Sequence, residues 1–341
     1  MNQAMQFSVL DLCPVGVGQT ATEALDNSLL LSVLADELGY KRYWFAEHHA
    51  MGAIASSSPE IMISQVARAT KHLRVGSGGI MLPNHPALRV AENFRTLEAL
   101  FPGRIDLGLG RAPGTNGRTA IALRRNAATQ SADDFPEQLE ELEGFLSDDF
   151  PEGHPYASIR AMPQGTGKPE IWLLGSSDYS AQMAAEQGRP FSFAHHFSPL
   201  PAELVLRLYR DRFRPSLAQA KPHAMVGVNV ICAETDEEAE RLASSGDLAF
   251  LRLRQTGRFD PVPTVEQALA TKYSPQERYE IDEHRQKAFV GSPATVRANL
   301  LPFLDRIGAQ EAIISTMVHN PEARRRSYRL VAKALDMKAN A

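Results

Sequence analysis

Short apolar runs of strand length alternate along this chain with longer stretches whose apolar residues recur at helical spacing. Phe7–Leu12 reads as a first strand. Thr22–Leu38 reads as an amphipathic helix with Leu25, Leu29, Val33 and Leu34 on one stripe, stopped by Gly39. Arg42–His48 is a second strand, Pro59 opens a second helix, Arg74–Leu82 is a third strand, and Pro86–Leu100 is a helix ended by Pro102-Gly103. Arg104–Arg111 makes a fourth strand. After a Gly- and Pro-rich stretch the rhythm resumes with strands at Glu170–Gly175, Pro190–His196 and Met225–Ala233, and with helices from Asp178 and Pro201. The helix Ser292–Ile307, the strand Glu311–Val318 and a closing basic helix complete about eight strand–helix units.

The second strand is aromatic and uninterrupted, as expected of a parallel strand covered on both faces. Eight such units with no reset in composition predict one (β/α)8 TIM barrel over residues 1–341 rather than an open doubly wound sheet. Two stretches exceed ordinary connections: about 112–169, with a helix around Glu137–Leu146, and a charged helical stretch at about 235–290. They are insertions after strands 4 and 7, and the first is either functional or a cover.

Composition narrows the function classes. With 43% hydrophobic residues the 341-residue chain can bury a sizeable core, and its formal charge of -4 lacks the basic surface that a sequence-independent nucleic-acid binder needs. Small molecules are the expected partners. Cys13 and Cys232 are too far apart in sequence to suggest a disulfide framework or a thiolate cluster, which fits a reducing cytoplasm. The first residues carry no secretory pattern, and no apolar segment is long enough to span a bilayer.

The chemistry concentrates where strands end. Glu47-His48-His49 closes the second strand at the end where barrels gather reactive groups. Alternation puts Trp44, Ala46 and His48 on one face, so His48 is expected in the barrel interior, with Glu47 or a neighbour orienting it. The other reading is a hydrogen-bonded histidine pair at a strand end. His85, His195 and His196 add imidazoles, but neither His-x-His on the first strand nor His-Glu-x-x-His is present, and no metal is expected.

Gly76-Ser77-Gly78-Gly79 in the third strand means a bulge, a tight corner, or close approach of another group to bare backbone. The fourth strand ends in Gly108-Leu109-Gly110-Arg111-Ala112-Pro113, where Pro113 replaces the third glycine of a dinucleotide fingerprint. Arg111 is better read as a fixed cation at the mouth, or as part of a structural ion pair. Gly175, Ser176, Ser177 and Ser180 lead into a helix, where they either cap it or, with Arg111, make an anion site at its N-terminus.

Three motifs in order, Glu47-His48-His49, Gly79–Pro86 and Gly103–Arg111, give the chain a resemblance to the bacterial luciferase-like monooxygenases over nearly its whole length. The resemblance implies FMN, with its ring against Ser77, Gly78 and Gly79 and a non-proline cis peptide among Gly76–Gly79. It implies a phosphate site at Arg111, Ser177 and Ser180, with Arg124 or Arg125 as a further cation. His48 then matches the family's catalytic histidine, which assists formation or breakdown of a flavin C4a-peroxide. Reduced flavin would come from a separate reductase and O2 would oxidise a small organic substrate. Gly110 stands where light-emitting members carry a reactive cysteine, so the chain looks closer to the non-luminescent oxidoreductases. A deazaflavin-dependent dehydrogenase and a non-catalytic flavin-binding protein are the alternatives. Apolar residues over a broad arc of the second and third helices (Ile61, Ile63, Val66, Val90, Phe94, Leu97), with the family's habit of pairing there, suggest a homodimer.

Overall fold

Eight parallel strands close on themselves in a computed structural model that describes residues 5–124 and 134–340. In chain order the strands are β1 (Gln6–Asp11), β2 (Arg42–Phe45), β3 (Arg74–Met81), β4 (Ile105–Gly110), β5 (Glu170–Gly175), β6 (Phe191–Phe193), β7 (Ala224–Cys232), β8 (Ala288–Gly291) and β9 (Glu311–Ser315). Each pairs with the next up to β7, and β9 bridges β7 and β1 to close the barrel. The ninth strand, β8, was not expected. Asn229 is partnered by Ser315 and by Ala288 at once, so β8 lies on the β6 side of β7, beyond the end of β6. Four residues ending in glycine carry too little periodicity to announce a strand.

The helices are α1 (Ala21–Glu37), α2 (Pro59–Ala69), α3 (Ala87–Leu100), α4 (Gly117–Arg124), α5 (Phe135–Ser147), α6 (Asp178–Glu186), α7 (Ala202–Arg212), α8 (Asp236–Thr256), α9 (Val265–Ala270), α10 (Pro275–Arg285), α11 (Pro293–Ile307) and α12 (Pro321–Ala334). The insertion after β4 holds α4 and α5, and the one after β7 holds α8, α9 and α10. The α1 stripe is phased differently from the expected one. Ala24, Ser28, Leu31 and Ala35 are buried and Val33 faces solvent, because the neighbours α2 and α12, and not the apolar stripe alone, decide which arc of α1 is covered. Asp36, also buried, accepts the backbone N–H groups of Lys71, His72 and Leu73.

Inside the barrel, Leu10, Trp44, Ala46, Trp172, Met225 and Ile313 form one apolar layer, while Tyr43, Phe45, Val226 and Val228 pack outward on the helices. This confirms the alternation read from β2. Below that layer the N-terminal end is closed by charge. Arg42 reaches Asp106 at 2.8 Å and Glu311 at 3.2 Å, and its guanidinium lies 4.7 Å from the Trp172 ring. Trp44 Nε1–H donates to the same Asp106 at 2.9 Å. An ionic floor and an aromatic layer thus leave the C-terminal end as the open mouth.

Candidate functional site

The chain leaves β2 with Glu47 and His48 on opposite faces. Glu47 is buried, and both carboxylate oxygens are committed: Oε1 accepts from His49 Nε2 (2.8 Å) and His85 Nε2 (2.9 Å), and Oε2 from the Met81 N–H (2.9 Å). His48 takes a different partner, its Nδ1 lying 3.2 Å from the Gly114 carbonyl. The orienting group for His48 is therefore this backbone oxygen and not Glu47. Since a carbonyl only accepts, the neutral ring carries its proton on Nδ1 and presents the Nε2 lone pair. Burial lowers the His48 pKa, partly opposed by the Gly114 bond, so the ring is a neutral base at neutral pH.

Glu47 works as a brace between the ends of β2 and β3. Burial would raise its carboxyl, but the hydrogen bonds from His49, His85 and Met81 outweigh that and hold it at about 2. Burial would lower His85, and the Glu47 carboxylate reverses the direction, so its pKa is raised. Glu47 contributes stability above the unfolded carboxyl pKa and loses it as pH falls toward 2. His85 contributes below its unfolded pKa and loses that as pH rises through its folded value. Glu47→Gln is expected to be most destabilised, by on the order of 3 kcal/mol, between about pH 5 and 6, with the gap closing below about pH 4. Urea unfolding at three pH values measures this. A pH-independent difference would show that the carboxylate charge is not what holds the two rings.

The glycines of β3 are required by packing. A β-carbon at Gly78 would lie 2.6 Å from Leu10 Cδ1, and one at Gly79 would lie 2.6 Å from the Gly108 carbonyl oxygen. The register with β4 shifts between Ser77 and Ile80, and the Gly78–Gly79 peptide is cis, as the resemblance implied. Ser77 is fully buried with Oγ on the Gly108 carbonyl at 2.8 Å, which leaves only its backbone for any ligand. The loop after β4 then folds onto the β2 end, where Thr115 Oγ1 donates to His49 O (2.8 Å) and Asn84 Nδ2 to Pro113 O (2.9 Å). Gly114 sits at φ +63°, and a side chain there would meet the Glu47 carbonyl at 2.8 Å.

Arg111 and the start of α6 come together. Its guanidinium lies 4.2 Å from the Tyr179 ring, in the first turn of that helix, and it forms no ion pair among the described residues. Gly175 lets the turn sit tightly on β5, since a β-carbon there would fall 2.4 Å from Ser180. Ser176 O accepts from Ser198 Oγ at 2.7 Å. Ser177 is the N-cap residue, yet its hydroxyl makes no capping bond among the described residues, so the capping reading fails. A hydroxyl, a helix N-terminus and an arginine at one place suit an anion, with the Tyr179 N–H of that turn taken by Asp178 Oδ1 at 2.9 Å. Arg124 donates to Asn84 Oδ1 at 3.0 Å, and Arg125 lies outside the described residues.

Two features of the mouth were missed from sequence. His196 turns inward and His195 outward, where His195 packs 4.8 Å from Phe303. From sequence the two suggest only metal ligands, and no group of three or more His, Cys, Asp or Glu side chains that could hold a metal occurs among the described residues. The second feature is an apolar wall: Leu12, Met51, Phe259 and Met317 surround Ala53, Ile54 and Val262, joining the barrel interior to the second insertion. Val17 N–H donates to Val262 O at 2.8 Å, which ties the wall to the loop after β1. No helix among the described residues is long and apolar enough to cross a membrane.

Residues 5–319 match the luciferase-like monooxygenase family. A luciferase-like monooxygenase of Escherichia coli is 42% identical over 337 residues, 99% of this chain and 98% of that protein. The N-acetyl-S-alkylcysteine monooxygenase of Bacillus subtilis is 36% identical over 334 residues, 97% and 98% of the two chains. The solved structure of apo-MsnO8 superposes with a TM-score of 0.91 at 39% identity, covering 98% of this chain and all of that one. The same fold, at 21% and 13% identity, holds FMN in the oxygenating constituent of 3,6-diketocamphane monooxygenase and an F420–acetone adduct in a secondary alcohol dehydrogenase. The TM-scores are 0.71 and 0.68, over 97% of this chain in each case and 98% and 99% of theirs. With its barrel, its mouth and nearly its full length matched, the chain belongs to the luciferase-like monooxygenase family.

Proposed function

We propose that this protein is a two-component monooxygenase that takes reduced FMN from a separate reductase and uses O2 to oxidise a small organic substrate. The observation that carries the reading is Arg111 beside the uncommitted Ser177 hydroxyl and the first turn of α6, close to the end of β4. Arg111, Ser177 and Ser180 would hold the phosphate. The bulged backbone at Gly78–Gly79 and the Nε2 lone pair of His48 would serve the ring. Bound flavin would supply the oxygen chemistry, while His48 would accept a proton and the apolar wall would exclude water from an alkyl group. The B. subtilis relative makes thioethers the first substrates to test.

Absorbance titration with FMN and FMNH2 tests the reading. Saturable binding is expected, and Arg111→Ala should weaken it by about 10–100-fold, the worth of a charge-assisted hydrogen bond. Binding of neither form would end it. Hydride transfer to a deazaflavin without oxygen uptake would replace it with a dehydrogenase, and flavin binding without any oxidation would leave a binding protein.

Pairing in solution is part of the same proposal, on a narrower basis than the broad arc expected. Ile63, Val66, Val90, Phe94 and Leu97 are buried in the barrel–helix core, and of the expected residues only Ile61 is exposed, at 65%. With the exposed Leu100 and Met162 it lines a groove of about 850 Å³ between α2 and α3. Light scattering should give twice 37.5 kDa, and Ile61→Glu should shift it toward one chain. A single-chain mass for the unaltered protein would overturn pairing.

A further inference from the structure

The arginines of the barrel ends are mostly spent on acceptors: Arg42, Arg74 and Arg324 hold buried carboxylates, and Arg95 and Arg104 hold backbone carbonyls. Arg111 holds neither. It is half-buried, yet among the described residues its guanidinium makes no hydrogen bond and no ion pair. What touches it is a ring. Its Cζ lies over Tyr179, 4.2 Å from the ring centroid, the shortest arginine–ring approach among the described residues.

Both partners stand on fixed elements. β4 and β5 are in register at Leu109 and Leu173, so Arg111 follows β4 at the level of Gly175, where β5 ends. A β-carbon at Gly110 would fall 2.9 Å from the Met81 sulfur, and one at Gly175 would fall 2.4 Å from Ser180, so the chain is closely packed at both exits. Tyr179 lies in the first turn of α6 and is 39% exposed, so its ring is not there to fill the core. Fixing a long side chain in one place costs rotamer freedom. Attraction between the cation and a ring face offsets part of that cost and uses none of the five N–H donors, whereas a carboxylate would take two of them and cancel the charge. Asp178 does not do this: it forms no ion pair with Arg111 among the described residues, and its Oδ1 accepts the Tyr179 N–H at 2.9 Å. That bond withdraws one backbone donor from the turn, which leaves more of any anion's binding to the arginine.

We propose that Tyr179 is a positioning residue for Arg111, holding the guanidinium over its ring so that the charge and all the N–H donors stay free for a phosphate monoester at the start of α6. The proposal deepens the flavin reading and rests on it for the identity of that monoester.

The test compares affinities for FMN and for riboflavin, which lacks the phosphate, in the unaltered protein, Tyr179→Leu, Tyr179→Phe, Arg111→Ala and the double variant Arg111→Ala with Tyr179→Leu. The unaltered protein should prefer FMN. Tyr179→Leu should lower that preference by about 2–5-fold, the worth of a cation–π contact at an exposed site, and leave riboflavin binding unchanged. Tyr179→Phe should keep the preference, and Tyr179→Leu should have no further effect once Arg111 is alanine. An unchanged preference in Tyr179→Leu, an equal loss for riboflavin, or the same loss in the Arg111→Ala background would overturn the proposal. So would a Tyr179→Phe as weak as Tyr179→Leu, which would assign the effect to the hydroxyl. A second readout needs no flavin. The Arg111 Nε–H signal in ¹H–¹⁵N spectra of the free protein, assigned from Arg111→Ala, should be displaced by the ring current and return toward the common arginine position in Tyr179→Leu; a signal that Tyr179→Leu leaves unmoved would overturn the hold on the arginine. Equal affinity for FMN and riboflavin, or binding of neither, would sink the phosphate reading and with it the role in the site, while the ring contact would still be read from this signal.

Discussion

Replacing His48 with alanine is expected to lower reductase-coupled turnover by about 10²–10⁴-fold, the usual contribution of a positioned proton-transfer group, while leaving FMN binding and folding largely unchanged. The structural cost is small because the ring makes one hydrogen bond, and the Gly114 carbonyl it leaves still accepts from the His49 N–H at 3.4 Å. The pH profile gives a second readout. Burial lowers the His48 pKa, so the unaltered enzyme should lose rate only as pH falls through that lowered value, and His48→Ala should lack this limb. Turnover per bound flavin, measured beside the absorbance titration, separates a chemical effect from lost cofactor. An unchanged rate would remove His48 from the mechanism.

Arg42→Met should show the largest effect on stability, a loss of about 3–5 kcal/mol, because it strands buried carboxylates. Asp106 keeps Arg74 at 2.6 Å and Trp44 at 2.9 Å, but Glu311 is left with Ser8 and His223. In the intact floor, burial would raise Glu311, yet the Arg42 charge and the His223 and Ser8 hydrogen bonds outweigh it and hold the carboxyl below its usual range. That contribution is present above the unfolded carboxyl pKa and is lost as pH falls through the folded one. The gap between Arg42→Met and the unaltered protein should therefore be full at pH 7 and narrow below about pH 4, where the stranded carboxyl is protonated. Denaturation at both pH values measures it. A loss under about 1 kcal/mol at pH 7 would mean that the floor tolerates an unpaired Glu311, and that the barrel does not depend on this arginine.

The barrel was legible because its causes are local. Uninterrupted apolar runs such as Tyr43-Trp44-Phe45, stops such as Gly39, and helix openings such as Pro59 act within a few residues, and eight of the expected strands closed the sheet. Residue type also carried part of the site, since Glu47-His48-His49 and Arg111 are unusual at strand ends whatever the fold does with them. The pairing of these groups was not legible. That Glu47 holds His49 and His85, that Gly114 orients His48, and that Arg42 joins Asp106 to Glu311 depends on which strand ends closure brings within about 3 Å, a range at which hydrogen bonds act. The same holds for burial. Ile63 and Ile61 differ by two positions on α2, yet one lies in the core and the other faces solvent, because only the packed neighbours decide which arc of a helix is covered. Periodicity and residue type therefore determined the elements and nominated the chemistry. The tertiary structure alone decided the partners, the tautomers and the inward turn of His196, because each is set by contacts between residues that the sequence keeps far apart.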